Sequence, residues 1–212
     1  TLNHVKTIGS YWALLADIVP PDRLKPFIAH LRNPAEFNRP HRVPSISADT
    51  KGYVPGGDYW RGSVWAPTNY MLLKGLAHIG EEELAHEIAL NHLENVVKVY
   101  NETGTLWENY APETAERGSH SRPKFVGWTG LTPIAILFEY VFGIRTDETN
   151  RKIVWRVSLT ERHGIKNYPF DGADVDLICE ARTADERPKI TVKSSCPVTV
   201  EVHWKDEVFT CP

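Results

Sequence analysis

The hydrophobic pattern of this 212-residue chain changes its period near Thr146. Before that point, apolar residues recur three and four positions apart, which is the spacing of one face of an α-helix. After it, apolar residues such as Ile153 and Trp155 alternate with polar ones, as in a strand with one buried face. We therefore expect a mainly α-helical region over residues 1–145 and a β-rich C-terminal appendage over residues 146–212.

Five helices are expected in the first region, and aromatic-rich loops separate alternate pairs of them. The helical pattern covers residues 11–19, 22–31, 67–80, 82–100 and 132–142. Short connections between paired helices favour antiparallel hairpins. A series of such hairpins, with long loops at one end, is typical of part of a toroid in which the loops build a binding cleft.

About five strands are expected in the appendage, arranged as a small antiparallel sheet or sandwich. Turn residues such as Asp171 and Gly172 separate its alternating runs. With roughly sixty residues, the appendage is marginal as an independent core. We therefore expect the appendage to pack on the helical region.

The charge balance argues against a nucleic acid or an anionic membrane as a partner. The chain has 24 Lys and Arg against 27 Asp and Glu, which gives a net charge of −3. Its apolar stretches are shorter than the roughly 18 residues that suggest a membrane span. The sequence has no nucleotide-binding or catalytic-metal motif, so no cofactor and no metal site are expected.

The three cysteines do not form a recognisable pattern. Cys179, Cys196 and Cys211 are too few and too irregularly spaced for a disulfide framework or a zinc site. A single disulfide remains open at this point. Cys179 falls on the apolar face of a strand, so we expect it in the core.

Three blocks of aromatic residues in the helical region also carry polar or charged groups. The blocks are Tyr59-Trp60-Arg61 with Trp65, Trp107-Glu108-Asn109-Tyr110, and Gly127-Trp128-Thr129-Gly130. Aromatic rings stack on the C–H faces of a sugar, while carboxylates, amides and guanidinium groups bind its hydroxyls. A glycosidase keeps one carboxylate of such a cleft for catalysis. The pattern therefore indicates a carbohydrate site.

The same blocks resemble a known family. The pattern Gly-x-Tyr-Trp-Arg-Gly-x-x-Trp-x-x-x-Asn-Tyr, from Gly57 to Tyr70, is similar to a signature of glycoside hydrolase family 63. The elements at residues 107–110 and 127–130 match that family in the same order, and the resemblance covers residues 8–144. The family includes processing α-glucosidases and related bacterial enzymes, and trehalases and mannosylglycerate hydrolases are similar to it.

The resemblance implies the C-terminal part of an (α/α)6 toroid, followed by the β-rich appendage. A ring of six hairpins needs about twelve helices, and the pattern shows five, so the chain looks like a portion of a longer enzyme or one piece of a two-chain protein. The expected partners are therefore the missing N-terminal part of the barrel or a partner chain, together with an oligosaccharide or small glycoside substrate.

The resemblance also implies inverting hydrolysis of an α-glucosidic or α-mannosidic bond, which requires two carboxyl groups. Glu108 matches the general base of the family, and the general acid is an aspartate from an earlier part of the barrel. The residues expected to bind substrate are Trp60, Arg61, Trp65, Tyr110 and Trp128. Asp49 and Asp58 are the aspartates in nearby loops, and neither has the context expected of the acid.

Less specific roles are open for each of these residues. Glu108 can hold a loop through backbone N–H groups, since most glutamates have no special role. Arg61 can clamp a sugar hydroxyl, orient the catalytic carboxylate or form an ion pair with a helix end. The aromatic residues can belong to the core. The alternative to a glycosidase is a non-catalytic carbohydrate-binding or accessory subunit, which a missing acid favours.

Overall fold

A computed structural model describes residues 4–211, which form two compact units that divide after Leu137. The first unit is mainly helical and the second is built mainly from strands. The separate roles expected for residues 1–145 and 146–212 stay a prediction.

The helices follow the segments predicted from the sequence, although two of them are not α-helical. The α-helices of the described residues are α1 (Pro21–Ala29), α2 (Ala66–His78) and α3 (Glu82–Thr103). Short 3-10 helices span Ile8–Leu14, His30–Arg32 and Trp128–Leu131, and a π-helix spans Thr132–Val141. The first predicted helix ends early, and Asp17 just beyond it has a φ of 52°, where a right-handed helix does not continue.

Helices α2 and α3 pack against each other and supply much of the core of the first unit. The buried residues of α3 include Leu84, Ile88 and Val96, at the spacing of one helix face. The helix ends at Gly104, which has a φ of 70° and donates its N–H to the Tyr100 carbonyl over 2.7 Å. This left-handed residue turns the chain into the segment that carries Glu108.

Buried polar side chains fasten the long loop between α1 and α2 to the helices. The Asn69 amide of α2 accepts from the Val43 N–H over 3.0 Å and donates to the Val43 carbonyl over 3.1 Å. His41 and His92 have no exposed surface, and their Nε2 and Nδ1 atoms are 2.9 Å apart. The Nε2 atom of His92 lies 3.0 Å from Thr132 Oγ1. These contacts satisfy polar groups that would otherwise be costly to bury.

The second unit contains two small sheets that share one hydrophobic core. Its strands are β1 (Ile144–Asp147), β2 (Lys152–Arg156), β3 (His163–Phe170), β4 (Ala173–Cys179), β5 (Ile190–Ser194), β6 (Thr199–Trp204) and β7 (Glu207–Cys211). One sheet has the order β1-β2-β6-β7 and the other β3-β4-β5. Ile153 and Trp155 from the first sheet pack in the same buried cluster as Val175 and Leu177 from the second, as in a sandwich.

The structure differs from the sequence-based expectation in two features of this unit. It has seven strands within the described residues where about five were expected, and the pairing of β2 with β6 is parallel. A parallel pair requires a crossover between its strands, which a reading of local alternation does not reveal. Cys179 is buried in the core as expected, and all three cysteines have free thiols.

Among residues 4–211, no helix combines the length and apolar character needed to cross a membrane. Within the same residues, no group of three or more His, Cys, Asp and Glu side chains is arranged to hold a metal ion.

Candidate functional site

Backbone pairing brings the first two aromatic blocks together. Val64 and Tyr110 form an antiparallel bridge in which each N–H donates to the other's carbonyl, over 2.9 and 3.0 Å. The loop residue Ser45 donates its N–H to the Ser63 carbonyl over 3.0 Å and adds a third segment. Residues that are more than forty positions apart in sequence therefore lie side by side, and Glu108 is placed two residues from the bridge.

The third block is attached to the backbone around Glu108. The Trp128 indole N–H donates to the Glu108 carbonyl over 3.2 Å, and the Thr129 hydroxyl donates to the Trp107 carbonyl over 2.8 Å. Thr129 is fully buried, so its hydrogen bond is shielded from water. All three blocks thus meet at one short segment, and its role as a carbohydrate site stays a prediction.

Glu108 is a nearly buried carboxylate, with 6% of its surface exposed. Its backbone N–H donates to the Arg122 carbonyl over 2.9 Å. Its side chain makes no hydrogen bond or ion pair within the part of the chain that the structure describes. Buried polar groups in proteins nearly always have a partner. The Glu108 oxygens are not among the fully buried polar atoms of the described residues, so water can satisfy them and they are open to hydrogen bonds from outside the chain.

Three tryptophan rings near Glu108 form a cluster whose members differ in exposure to solvent. Trp60 stacks on Trp65 with ring centroids 4.5 Å apart and an interplanar angle of 17°. Trp65 contacts Trp128 edge-on at 5.6 Å. Trp65 has no exposed surface, whereas Trp60 is 51% exposed and Trp128 is 37% exposed. The outer two rings present faces that can stack on a sugar, and Trp65 supports them from behind.

Tyr110 lies inside the protein below this segment. Its hydroxyl accepts from the Trp107 N–H over 3.2 Å, and its ring lies 5.6 Å from that of His41. Burial raises the pKa of Tyr110 to about 12, so its hydroxyl stays protonated near neutral pH. Because Tyr110 is buried, it is better placed to shape the site from behind than to contact a ligand.

Arg61 is exposed and forms its ion pair with Asp58 of the same loop, not with a helix end. The other carboxylate oxygen of Asp58 lies 3.2 Å from Nε2 of His120. The three side chains form a polar cluster in the loop that carries Trp60. Sequence reasoning did not find His120, because a histidine in a polar loop gives no signal until the fold brings it beside Asp58.

Neither nearby aspartate has the surroundings of a general acid, which must hold a proton near neutral pH. Asp49 accepts hydrogen bonds from Lys6 over 2.6 Å and from Ser47 over 2.6 Å. These bonds, the one from Lys6 foremost, lower the pKa of the Asp49 carboxyl. Asp58 is paired with Arg61. That neither of them is the acid stays a prediction.

Comparison with known proteins shows which sequences are related to this chain. A probable mannosyl-oligosaccharide glucosidase of Schizosaccharomyces pombe is 31% identical over 131 residues, which cover 56% of this chain and 16% of that protein. A mannosylglycerate hydrolase of Rubrobacter radiotolerans is 26% identical over 140 residues, covering 64% of this chain and 30% of that protein. The chain spans less than half the length of the curated relatives it matches.

Solved structures share the fold of part of this chain. The crystal structure of a GH63 mannosylglycerate hydrolase from Thermus thermophilus in complex with glucose has a TM-score of 0.50 and 22% identity, covering 63% of this chain and 29% of that one. A family model described as the mannosylglycerate hydrolase MGH1-like glycoside hydrolase domain matches residues 1–129. That match takes in the first two aromatic blocks and reaches Trp128 and Thr129 of the third. The chain therefore belongs to the MGH1-like glycoside hydrolases, relatives of glycoside hydrolase family 63.

Proposed function

We propose that this chain carries the general base of a glycosidase that hydrolyses an α-glucosidic or α-mannosidic bond with inversion. The observation that carries the proposal is the Glu108 carboxylate, which is nearly buried, lacks a partner among the described residues and lies in the segment where the three blocks meet. Membership of a glycoside hydrolase family supports the reaction class.

In this mechanism Glu108 removes a proton from a water molecule as that water attacks the anomeric carbon. Trp60 and Trp128 stack on the faces of the sugar, and Arg61 donates to its hydroxyls. Trp65 and Tyr110 shape the subsite from behind, since both are buried. Inversion requires the second carboxyl about 6.5–9.5 Å from the first, on the opposite side of the sugar.

The general acid in this proposal comes from outside the chain. Residues 1–145 would supply the last helices of an (α/α)6 toroid, and residues 146–212 would form its β-rich appendage. An N-terminal part of the same barrel, or a partner chain, would supply the remaining helices and the acid. The limited share of the relatives' length that this chain spans supports the idea. Reconstitution of hydrolysis by adding that part would test it, and hydrolysis by the chain alone would contradict it.

The decisive experiment uses a protein that contains the complete barrel and replaces its Glu108 by glutamine. An amide keeps the shape of the side chain but cannot accept a proton from water, so Glu108→Gln should reduce turnover by about 10²–10⁴-fold. Sugar binding, measured by calorimetry, should survive. Glu94→Gln is a matched control, because Glu94 is an exposed glutamate on α3.

Product stereochemistry provides a second readout in the same experiment. NMR of the first-formed product, before mutarotation, should show the inverted anomer, because a base activates water and does not form a covalent glycosyl-enzyme. Unchanged turnover in Glu108→Gln would remove Glu108 from the mechanism. A retained anomer would show that Glu108 acts as a nucleophile or not at all.

The second candidate is a carbohydrate-binding subunit without catalysis, and the surroundings of Asp49 and Asp58 favour it. This candidate differs from the first in a measurable way. It gives saturable sugar binding that Glu108→Gln leaves unchanged, with no hydrolysis after the barrel is completed.

A further inference from the structure

A second concave surface lies on the first unit, apart from the Glu108 site. It is an open groove of about 470 Å³ between the last turn of α3 and the segment 116–119. Val99, Glu102 and Thr103 line it from the helix, and Glu116 and Arg117 line it from the segment. Its volume falls in the range of small-molecule sites. None of Glu108, Trp60 and Trp128 lines it, so it is a separate surface.

One wall of the groove is an oriented aromatic ring. The Trp107 indole N–H donates to the Thr103 hydroxyl over 3.1 Å, which fixes the ring against the end of α3. The Arg117 guanidinium lies 4.9 Å from the centre of the ring. A cation over an indole is held by the ring's quadrupole. The guanidinium is therefore positioned beside an apolar surface, where its remaining N–H groups can reach a ligand.

The charges around the groove favour an uncharged polyhydroxyl ligand. Glu102 and Glu116 are exposed carboxylates that repel an anion, and Arg117 repels a cation. Together they offer both acceptors and donors beside the Trp107 ring. A sugar needs this combination, because each hydroxyl both donates and accepts while the ring presents apolar C–H faces.

Two polar side chains are buried behind the groove, next to Gly118. Both side-chain polar atoms of Asn109 and the hydroxyl of Ser63 are buried without a hydrogen-bond partner among the described residues. Asn109 lies behind Gly118, which lines the groove, and its side-chain oxygen is 2.0 Å from the position that a Cβ on Gly118 would take. Position 118 therefore has no room for a larger residue, and the backbone of the segment forms this part of the wall.

We propose that this groove binds a sugar residue of an oligosaccharide at a site separate from Glu108. Trp107 contacts the face of the sugar, Arg117 donates to its hydroxyls, and Glu102 and Glu116 accept from them. A chain of several sugars could thereby be held at a second point while one end is processed. The binding does not depend on Glu108 being catalytic, so it stands or falls separately from the proposed function.

The test is an NMR titration of the ¹⁵N-labelled chain with maltose and with methyl α-D-mannopyranoside. At least one of the two should shift the Trp107 indole signal and the amide signals of Gly118 and Ser119 in a saturable way. Arg117→Ala should weaken this binding by about tenfold, the equivalent of one hydrogen bond to a charged group. Arg23→Ala is the matched control, because Arg23 is an exposed arginine on α1, outside the groove.

A second variant separates the groove from the Glu108 site. Trp60→Ala should abolish sugar-induced shifts around Trp60 and Trp128 and leave those of Trp107 and Gly118 in place. Shifts confined to Trp60 and Trp128, or shifts at Trp107 that Arg117→Ala does not weaken, would overturn the proposal. So would the absence of saturable shifts with both sugars, whatever the outcome of the hydrolysis assays.

Discussion

The buried pair His41 and His92 should make the first unit lose stability as the pH falls below neutral. Burial lowers the pKa of His92 to about 3, and burial together with the neighbouring His92 holds the pKa of His41 well below its usual range. Both rings are therefore neutral in the folded protein. In the unfolded chain they take up protons near pH 6.5. Because the unfolded state binds more protons, the free energy of unfolding decreases as the pH is lowered.

For His92 the magnitude follows from the unfolded pKa, since its folded pKa of about 3 lies below the pH range of the experiment. At about pH 5 an unfolded histidine with a pKa near 6.5 is stabilised by about 2 kcal/mol through protonation. His41, whose pKa is also lowered, contributes in the same direction, and about 2 kcal/mol is already a large share of the stability of an ordinary domain. Carboxylates with a lowered pKa, such as Glu36 and Glu113, lose their contribution to stability at lower pH than this. The decrease in the free energy of unfolding between about pH 8 and about pH 5 is therefore due to histidines.

Urea denaturation, followed by tryptophan fluorescence at about pH 8 and about pH 5, measures the difference directly. In His92→Gln, the decrease between the two pH values should shrink by about 2 kcal/mol, and in the double variant His41→Gln and His92→Gln it should shrink further. His4→Gln should retain the wild-type decrease, because His4 is exposed. An equal decrease in the wild type and in His92→Gln would refute the reasoning.

Two further predictions concern the second unit. Gly143→Ala should lower the free energy of unfolding by about 1–3 kcal/mol. Gly143 has a φ of 76°, and a Cβ there would lie 2.0 Å from the Arg156 carbonyl oxygen. An unchanged melting temperature would contradict this prediction. Cys196 is exposed and Cys179 is buried, so a thiol reagent should modify Cys196 in the native protein and Cys179 only after denaturation, as peptide mass spectrometry can show.

Hydrophobic period identified most of the elements of this fold, because helices and strands bury one face. It placed α2 and α3 within a few residues of their observed bounds. It did not distinguish the π-helix Thr132–Val141 from an α-helix, since apolar residues on one stripe fit both. The hydrophobic period also could not predict the parallel pairing of β2 and β6, because the register between distant strands depends on the whole core.

The candidate site was accessible from sequence only as a set of blocks. The match of the ordered blocks to a known family identified Glu108, Trp60, Arg61 and Trp128 as candidates. The hydrogen bonds that bring the blocks together join distant segments, and one example is the bond from the Trp128 indole to the Glu108 carbonyl. Burial was harder still to foresee: Trp65 lies under the cluster, while its neighbour in space, Trp60, is half exposed. Alternation of polar and apolar residues carries no such information in irregular loops.

The parallel pairing of β2 with β6 governs the order in which the second unit can form during synthesis. Residues 157–198, which include all three strands of the other sheet, are made after β2 and before β6. Until β6 emerges, the edge of β2 that faces away from β1 is unpaired, and such edges pair readily with other chains. Strands β6 and β7 therefore complete a sheet that began more than forty residues earlier in the chain, so a chain that stops before β6 leaves the edge of β2 open to aggregation.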